Sequence, residues 1–404
     1  MVYVASTGGK FCVTNQQQSF DAVVIGGGVL GCAAAHALGG RGLHVALVER
    51  AEIGQGTSNA SFAWLNATSK STDEAYHRLN ALGVQRYREL ASAFGEQRIG
   101  LHPSGMLEWS SPADGARLRA LRARVEQLDA WGYTVGWVTR EELVAMEPHV
   151  RFEEAAEGLH AMNDAWLDVP TFLRFLVDEL RGGGATILEH CEAVELIANS
   201  EGKVLGLETD AGRLHSEQVV VATGAATPDV LSTLTGYEAF ASRFPMRRAP
   251  GLLVTTPACE PRPLVRHILY TSDAEHLHVR ETPDGGLLLG ADDTDGQVSE
   301  DGSPEGIRKA ALALVERTQR LIPSFEGAAL LNRCRFDIGI RAVPTDGKSI
   351  AGPMPSAEGL HIALTHSGVT LALALGELIA DSIDTGTVAP QLEPFGLERF
   401  QTIA

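Results

Sequence analysis

The stretch that decides the fold spans residues 20–50 and reads FDAVVIGGGVLGCAAAHALGGRGLHVALVER. Residues 20–25 are a short β-branched run, which predicts a buried strand of a parallel sheet. Residues 29–38 then predict a helix that two glycines end, and residues 43–49 predict a second strand. Together these elements predict one complete βαβ unit.

Three glycines stand between the first strand and the helix in the spacing GxGxxG: Gly26, Gly28 and Gly31. Gly26 allows the tight turn, Gly28 lets the backbone approach a pyrophosphate, and Gly31 lets the helix pack on the strand. The helix N-terminus, at Val29 and Leu30, would offer free N–H groups and positive dipole to the phosphates. Because a strand precedes the motif and a helix follows it, we predict a dinucleotide site.

Glu49 ends the second strand of this unit. A carboxylate at this place accepts hydrogen bonds from the hydroxyls of the adenosine ribose, which favours FAD or NAD over NADP. Gly56, Thr57 and Ser58 follow soon afterwards. Small hydroxyl residues here could bond a second phosphate or a flavin ring, which favours FAD over NAD.

The bulk composition limits the classes of function. A formal net charge of -18 would repel a phosphate backbone, and the chain has no Lys/Arg-rich run, so we expect no nucleic-acid partner. Five scattered cysteines form no Cys-x-x-Cys pair, so we predict no metal site and no disulfide framework, as is typical of a reducing cytoplasm. Glycines interrupt the apolar run at residues 22–38, so we expect no transmembrane segment.

A chain of 404 residues can form two domains, or one domain with a large insertion. Strands and helices alternate in three separate stretches. We therefore predict an α/β fold with a discontinuous, Rossmann-type FAD-binding domain built from residues 20–80, 165–240 and 330–404.

The pattern changes within residues 252–289, where short strands are divided by Pro and Gly. This change predicts a mainly antiparallel β-sheet. We assign residues 81–164 and 241–329 to this inserted substrate domain. The polar residues 1–19 lack the layout of a secretory signal, and we predict a flexible extension there.

At the level of motifs the chain resembles the D-amino-acid oxidase family of flavoproteins, which includes glycine oxidase, sarcosine oxidase and the D-amino-acid dehydrogenases. A second GxGxxG motif for NAD(P)H is absent from the sequence, which argues against the two-nucleotide flavin reductases. The matching strings span nearly the whole chain: VIGGGVLG (24–31), ER (49–50), GTS (56–58), DVP (168–170), VATGA (221–225), GIRAVPTDG (339–347) and HSGVTLA (366–372).

The resemblance implies FAD as the cofactor. Members that attach FAD covalently use a cysteine at the position of Gly339, so the FAD is expected to be noncovalent here. Val194 would pack by the adenine, although a core valine is the alternative. The cofactor contacts expected from the motif and the resemblance are Gly26, Gly28, Val29, Leu30, Gly31, Glu49, Arg50, Gly56, Thr57, Ser58, Val194, Thr223, Gly224, Ser367, Gly368, Val369 and Thr370.

Two residues are candidates for direct work on the substrate. Arg341 stands where the family places an arginine that pairs with a substrate carboxylate, and a planar guanidinium suits that task. The alternative is a structural ion pair with Asp337 or Asp346. His366 could line the substrate pocket, or it could be a hydrogen-bonded loop histidine.

A helix beginning near Gly368 would point its N–H groups at the pyrimidine edge of the flavin, where reduced flavin carries negative charge. Ser367 could cap this helix. Further side chains could reach the pocket or be structural: Trp64, Tyr270, His276, His278 and Arg280. Arg247 and Arg248 are better explained as a solvated pair.

The predicted function is FAD-dependent oxidation of an amino acid or secondary amine that carries a carboxylate. In the family, hydride passes from Cα to flavin N5 and the imine hydrolyses to an oxo acid, with oxygen or a dye- or quinone-type molecule as final acceptor. Two alternatives remain: a 2-hydroxy-acid dehydrogenase, which would need a base such as His366, and a flavin subunit of a multi-subunit dehydrogenase.

Overall fold

The computed structural model describes residues 18–271, 276–299 and 302–400. The strands of this part of the chain, numbered in order, are β1 (Gln18–Ser19), β2 (Ala22–Ile25), β3 (Val45–Val48), β4 (Trp64–Leu65), β5 (Leu101–His102), β6 (Met106–Ser110), β7 (Gly136–Val138), β8 (Glu157–Ala161), β9 (Ala165–Leu167), β10 (Thr186–Leu188), β11 (Ala193–Ala198), β12 (Val204–Thr209), β13 (Gly212–His215), β14 (Val219–Val221), β15 (Met246–Thr255), β16 (Ile268–Thr271), β17 (Leu277–Glu281), β18 (Leu287–Ala291), β19 (Arg335–Pro344), β20 (Ile350–Pro353) and β21 (Leu360–Leu364).

The α-helices of the same residues are α1 (Val29–Gly39), α2 (Glu74–Phe94), α3 (Glu96–Ile99), α4 (Gly115–Ala130), α5 (Arg140–Met146), α6 (Val169–Gly182), α7 (Thr227–Leu231), α8 (Glu238–Ala241), α9 (Asp292–Asp295), α10 (Pro304–Leu321), α11 (Gly327–Leu330) and α12 (Gly368–Thr385). Short 3-10 turns lie at Pro112–Asp114, Gly224–Ala226, Leu331–Arg333, Pro390–Phe395 and Leu397–Arg399. None of these helices combines the length and apolar character needed to cross a membrane.

A six-stranded sheet in the order β10-β3-β2-β14-β21-β20 carries the predicted βαβ unit. Its strands are parallel except for β20, which pairs antiparallel with β21. All four residues of β2 and of β3 are buried, as expected of strands covered on both faces.

Helices α1, α2, α6 and α12 pack together on one face of this sheet. Two glycines on these helices allow the close approach. A Cβ on Gly376 of α12 would lie 2.8 Å from backbone atoms of Ala33 in α1, and a Cβ on Gly83 of α2 would lie 2.2 Å from the Thr370 carbonyl oxygen. The start of α12 is therefore held firmly between α1 and α2.

The second large sheet has eight strands in the order β19-β15-β18-β17-β16-β6-β8-β7. Its pairings are antiparallel apart from β16 with β6. A second apolar core lies between this sheet and α10. The predicted α/β fold, a Rossmann-type unit with an inserted, mainly antiparallel sheet, is confirmed.

The elements divide differently from the predicted domain boundaries in two places. β19 belongs to the eight-stranded sheet because it pairs along its whole length with β15, although residues 330–404 were assigned to the FAD-binding domain. α2 packs on α12, although residues from 81 onward were assigned to the substrate domain. The rest of the division stays a prediction.

The predicted N-terminal extension, residues 1–19, falls largely outside the described residues, which begin at Gln18. Gln18 and Ser19 pair in parallel with Leu214 and His215 of β13. They form the edge of a four-stranded sheet, β1-β13-β12-β11, while β4-β9-β5 form a small three-stranded sheet.

Candidate active site

The turn after β2 explains two of the three motif glycines by packing alone. Gly26 has φ +109°, and a Cβ there would lie 2.6 Å from the Ala222 carbonyl oxygen. A Cβ on Gly31 would lie 1.9 Å from the Gly26 carbonyl oxygen. At Gly28 a Cβ would meet only the Ser58 hydroxyl, at 3.1 Å. Gly28 therefore leaves the mouth of the turn open to a ligand.

The N-terminus of α1 faces this open mouth. Its N-cap, Gly28, has no side chain to cap the helix, and the Val29 N–H donates to Ser58 Oγ at 3.0 Å. The side chains of Val29 and Leu30 pack in the core, so these two residues can offer only backbone groups. N–H groups, a serine hydroxyl and a helix dipole at one point suit a phosphate.

Glu49 stands beside the same turn. Its two carboxylate oxygens accept bonds from Gly27 N–H at 2.7 Å and Ala51 N–H at 2.8 Å. A carboxylate has about four acceptor sites, so two remain for ribose hydroxyls. The neighbouring Arg50 is exposed, and its predicted cofactor contact stays a prediction.

Val194 lies near the Glu49 end of the site, since the Cys191 N–H donates to the Glu49 carbonyl at 2.9 Å. It sits at a register shift of β11, and its exposed fraction of 51% is high for a valine. The alternative of a buried core valine is therefore wrong. An exposed apolar side chain here fits the flat face of an adenine.

The segment of Gly56, Thr57 and Ser58 joins the cofactor turn to the eight-stranded sheet. Thr57 Oγ1 donates to the Ile340 carbonyl at 2.6 Å, and Gly56 is exposed. A Cβ on Gly339 would lie 2.2 Å from the Ala60 carbonyl oxygen. This contact leaves no room at residue 339 for a cysteine that could attach a cofactor.

Thr223 and Gly224 follow β14 and lie against the glycine turn. The Ala222 N–H donates to the Ile25 carbonyl at 2.8 Å, and Thr223 Oγ1 lies 3.2 Å from Thr227 Oγ1. Gly224 has φ +55°, and no atom lies within 4 Å of the place of its Cβ. The two residues thus border the cofactor turn without filling it.

Ser367 does not cap α12, so that part of the prediction is wrong. Its hydroxyl instead accepts a bond from Tyr76 Oη at 3.1 Å, and its N–H donates to Thr365 Oγ1 at 3.1 Å. The Leu371 N–H bonds to the Ser367 carbonyl at 3.0 Å and starts the helix. The N–H groups of the first turn, from Gly368 on, keep no side-chain cap.

The first turn of α12 is tied to the rest of the site by its other groups. Thr370 Oγ1 donates to the Trp64 carbonyl at 2.9 Å and accepts from the Asn66 N–H at 3.2 Å. The Val369 carbonyl accepts from Tyr87 Oη at 2.7 Å. Val369 and Thr370 therefore position the helix end by packing and side-chain bonds, and their predicted cofactor contacts stay predictions.

His366 stands immediately before this helix end, and its Nδ1 is buried without a hydrogen-bond partner in the described residues. Burial, followed by the positive charges of Lys70, Arg341 and Arg247, lowers the pKa of His366 to about 4. The ring is therefore neutral near pH 7. Because Nδ1 has no partner among the described residues, the alternative of a hydrogen-bonded loop histidine does not hold for this atom. Nδ1 can therefore still accept or donate a bond.

Arg341 lies on β19 with a side chain that is 40% exposed. Its Nη2 contacts Asp295 Oδ2 at 2.6 Å, and the same carboxylate accepts from the Leu252 N–H at 3.0 Å. Among the described residues its Nη1 has no partner. One edge of the guanidinium is thus occupied, and the other is available to a ligand.

The alternative ion pairs predicted for Arg341 are wrong. Asp337 pairs with Arg335 at 3.0 Å, and Asp346 pairs with Arg399 at 2.8 Å. Asp295 takes their place because the strand pairing of β15 with β19 brings α9 next to Arg341. Burial raises the pKa of Asp295, and the charge of Arg341 opposes that rise.

Aromatic rings from the loop before β4 and from the eight-stranded sheet form a wall. The centroids of Trp64 and Tyr270 lie 5.5 Å apart, and those of Phe62 and His278 lie 4.6 Å apart. His276 stacks on Tyr270 at 5.7 Å. This wall joins the loop before β4 to the eight-stranded sheet, and its contact with substrate stays a prediction.

The other arginines have distinct places. Arg280 is buried, lies 4.3 Å from the centroid of Trp166, and donates from Nε to the Phe62 carbonyl at 2.8 Å. It therefore supports the aromatic wall from behind. Arg248 and Arg247 are both exposed, as expected of a solvated pair, and the positive charge of Arg247 contributes to the lowered pKa of His366.

Sequence reasoning missed two groups at this site. The positive charge of Lys70 contributes to the lowered pKa of His366. Asp164 is fully buried and accepts bonds from Trp64 Nε1 and Thr68 Oγ1, each at 2.8 Å. No sequence signal marks either one, because a lysine in a polar turn and an aspartate between two short strands are ordinary surface features.

The chain has full-length relatives. It is 28% identical over 391 residues to the glycine oxidase of Geobacillus kaustophilus, a match that covers 94% of this chain and 97% of that protein. The crystal structure of glycine oxidase from the same organism superposes with a TM-score of 0.78, 24% identity and coverage of 94% and 99%.

The L-proline dehydrogenase of P. horikoshii superposes with a TM-score of 0.80, at 21% identity and with coverage of 96% and 99%, and this likeness shows the fold alone. The family model described as "FAD dependent oxidoreductase", DAO, matches residues 21–382. This match, over most of the chain, shows that the protein belongs to the DAO family of FAD-dependent oxidoreductases.

Proposed function

We propose that this enzyme oxidises the C–N bond of an amino acid, or of a secondary amine that carries a carboxylate. One observation carries the proposal: Arg341 has an available guanidinium edge near the neutral His366, directly before the N-terminus of α12. A carboxylate on the arginine would leave the rest of a small substrate beside that helix end. The glycine oxidases among the relatives support the same substrate class.

FAD would be held without a covalent bond by the glycine turn, the Val29 N–H, Ser58 and Glu49, with Val194 against the adenine. When bound, FAD supplies the two-electron acceptor of the reaction. The packing of Gly339 on Ala60 supports noncovalent binding.

The chain's own groups would orient the substrate rather than act as strong acids or bases. Arg341 would fix the carboxylate, and the aromatic wall would exclude water from the reacting carbon. His366 would accept a hydrogen bond from the amine through a free ring nitrogen, because its lowered pKa keeps it neutral. The imine product hydrolyses to an oxo acid once water reaches it.

The test is anaerobic reduction of the purified, FAD-loaded protein by a panel of glycine, sarcosine, D- and L-amino acids and 2-hydroxy acids. We expect loss of the yellow colour with one or more of the amino compounds. Bleaching by hydroxy acids alone would favour the hydroxy-acid dehydrogenase instead. A protein that keeps its colour with every compound would favour a flavin subunit that needs a partner.

The same preparation identifies the electron acceptor. Bleached enzyme is mixed either with air or, under argon, with a dye or quinone. Rapid return of colour in air is expected of an oxidase, and return only with the dye or quinone is expected of a dehydrogenase.

A further inference from the structure

The turn that follows β4 is fixed against the first turn of α12. Within the turn, the Ser69 N–H donates to Asn66 Oδ1 at 2.9 Å and the Lys70 N–H donates to the Ala67 carbonyl at 3.1 Å. Asn66 is bound in turn to Thr370 of α12. The backbone that carries Lys70 is therefore set in place by the same helix end that borders the proposed flavin site.

A second set of contacts, to Asp164 and His77, also holds this turn in place. Thr68 Oγ1 donates to the buried Asp164, and His77 Nδ1 lies 3.1 Å from the Ala67 carbonyl. This turn is bonded to α2, to α12 and to Asp164, which directly precedes β9. Its last residue therefore has little freedom to move away. Lys70 consequently projects from a preformed support.

Within the described residues, the ammonium of Lys70 has no partner. Across residues 18–271, 276–299 and 302–400 it takes part in no hydrogen bond and no ion pair, although the residue is half-buried. Burial lowers the pKa of Lys70, while the negative charges of Asp164 and Asp292 oppose that change. A cation taken from water without a counter-ion is costly, and such a group is commonly kept for a ligand.

Lys70 and Arg341 differ in how far their charge is already balanced. Arg341 forms a 2.6 Å ion pair with Asp295, which offsets much of its attraction for a second carboxylate. Lys70 has no such pair within the described residues, and its positive charge, like that of Arg341, lowers the pKa of His366. An anion beside His366 would therefore meet, in Lys70, a cation that forms no ion pair with any carboxylate of the described residues.

We infer that Lys70 binds the substrate carboxylate together with Arg341 and supplies the net positive charge that selects an anionic substrate. Arg341 would orient the carboxylate through the planar edge of its guanidinium, and Lys70 would supply the net positive charge. The inference rests on the proposed function for the identity of the substrate, but the binding of a carboxylate can be measured without turnover.

The experiment titrates FAD-loaded protein with acetate and follows the visible spectrum of the flavin. Variants Lys70→Met and Lys70→Gln remove the charge, and Lys70→Arg keeps it. Lys203→Met is the matched control, because Lys203 is an exposed lysine paired with Glu217 at 2.7 Å. Acetamide, which is neutral, reports effects unrelated to charge.

We expect Lys70→Met and Lys70→Gln to raise the Kd for acetate about tenfold or more, with FAD content and acetamide binding unchanged. Lys70→Arg should stay within about threefold of wild type, and Lys203→Met should match it. With a reducing amino acid, the loss should fall on KM rather than on kcat.

Acetate binding that is the same in Lys70→Met and in wild type would overturn the inference. So would loss of FAD from both neutral variants, since that result would assign Lys70 to the cofactor. Wild-type protein that binds acetate through Lys70 but is bleached by no amine would refute the proposed function and leave this inference standing.

Discussion

The glycine turn and Glu49, beside the six-stranded sheet, lie close together along the chain, whereas Arg341, on the eight-stranded sheet, depends on a contact with a distant segment. Gly26, Gly28 and Gly31 form one turn, and Glu49 directly follows β3. Arg341 and its partner Asp295 are 46 positions apart. The first site is a property of a local backbone, and the second is a property of the assembled fold.

This difference predicts how each site responds to mutation. A cradle made of backbone groups fails when a side chain intrudes, because its N–H groups cannot be repositioned separately. A pocket made of converging side chains loses one contact at a time. Substitutions chosen in each region can therefore test whether the two sites are built as the structure indicates.

The largest effect is expected from Gly31→Ala. The new Cβ would lie 1.9 Å from the Gly26 carbonyl oxygen, so α1 must move away from β2. We expect loss of FAD and a fall of about 3 kcal/mol or more in the free energy of unfolding. Flavin content of the purified protein and urea unfolding measure the two effects.

The matched control is Gly39→Ala at the other end of α1, where no atom lies within 4 Å of the place of the Cβ. This variant should keep FAD and gain up to about 1 kcal/mol, since alanine favours helix. Equal behaviour of the two variants would show that the glycine turn is not tightly packed.

The sequence predicted the local site well because its determinants are local. A strand, a GxGxxG turn, a helix and an acid define the cofactor turn without knowledge of the rest of the chain. The observed β2 and β3 lie within the predicted segments, and α1 extends one residue beyond its predicted end. The identity of Arg341 came from a resemblance to a family, since a lone arginine in a strand carries no such information.

The distant contacts were not predictable in the same way. Ser367 receives its bond from Tyr76, 291 positions away, rather than capping α12, and only the packing of α2 on α12 brings the two together. Lys70 and Asp164 were missed for the same reason. Their importance depends on burial, which the folded chain decides and a local pattern does not.

Asp164, which bonds Trp64 and Thr68 in the segment that follows the cofactor turn, provides a second test. Burial raises the pKa of Asp164 to about 7, so its protonated form is favoured in the folded state. Its contribution to stability is present below the ordinary pKa of an aspartate and is lost as the pH rises through about 7. Wild-type protein should therefore lose stability between about pH 4 and pH 7.

The variant Asp164→Asn can still accept from Trp64 Nε1 and donate to Thr68 Oγ1, but it does not titrate. Urea unfolding at several pH values should show wild type losing about 2 kcal/mol or more relative to the variant over that range. Parallel pH curves for the two proteins would mean that Asp164 is ionised throughout.

Arg341→Ala tests the pocket of converging side chains. The protein should remain yellow, because no predicted cofactor contact is removed, while KM for the amino acid rises about tenfold or more. Arg335→Ala is the control on the same strand, since its side chain is 68% exposed and pairs with Asp337. An unchanged KM in Arg341→Ala would remove this arginine from the substrate site.

The smallest effect is expected from Tyr76→Phe, at the joint between α2 and the start of α12. The change removes one hydrogen bond, from Tyr76 Oη to Ser367 Oγ at 3.1 Å, and should cost about 1 kcal/mol in urea unfolding. Tyr87→Phe should cost more, because Tyr87 is fully buried and its loss leaves the Val369 carbonyl without that donor. If Tyr76→Phe proves the costlier of the two, the start of α12 is held mainly through Ser367 rather than through the Val369 carbonyl.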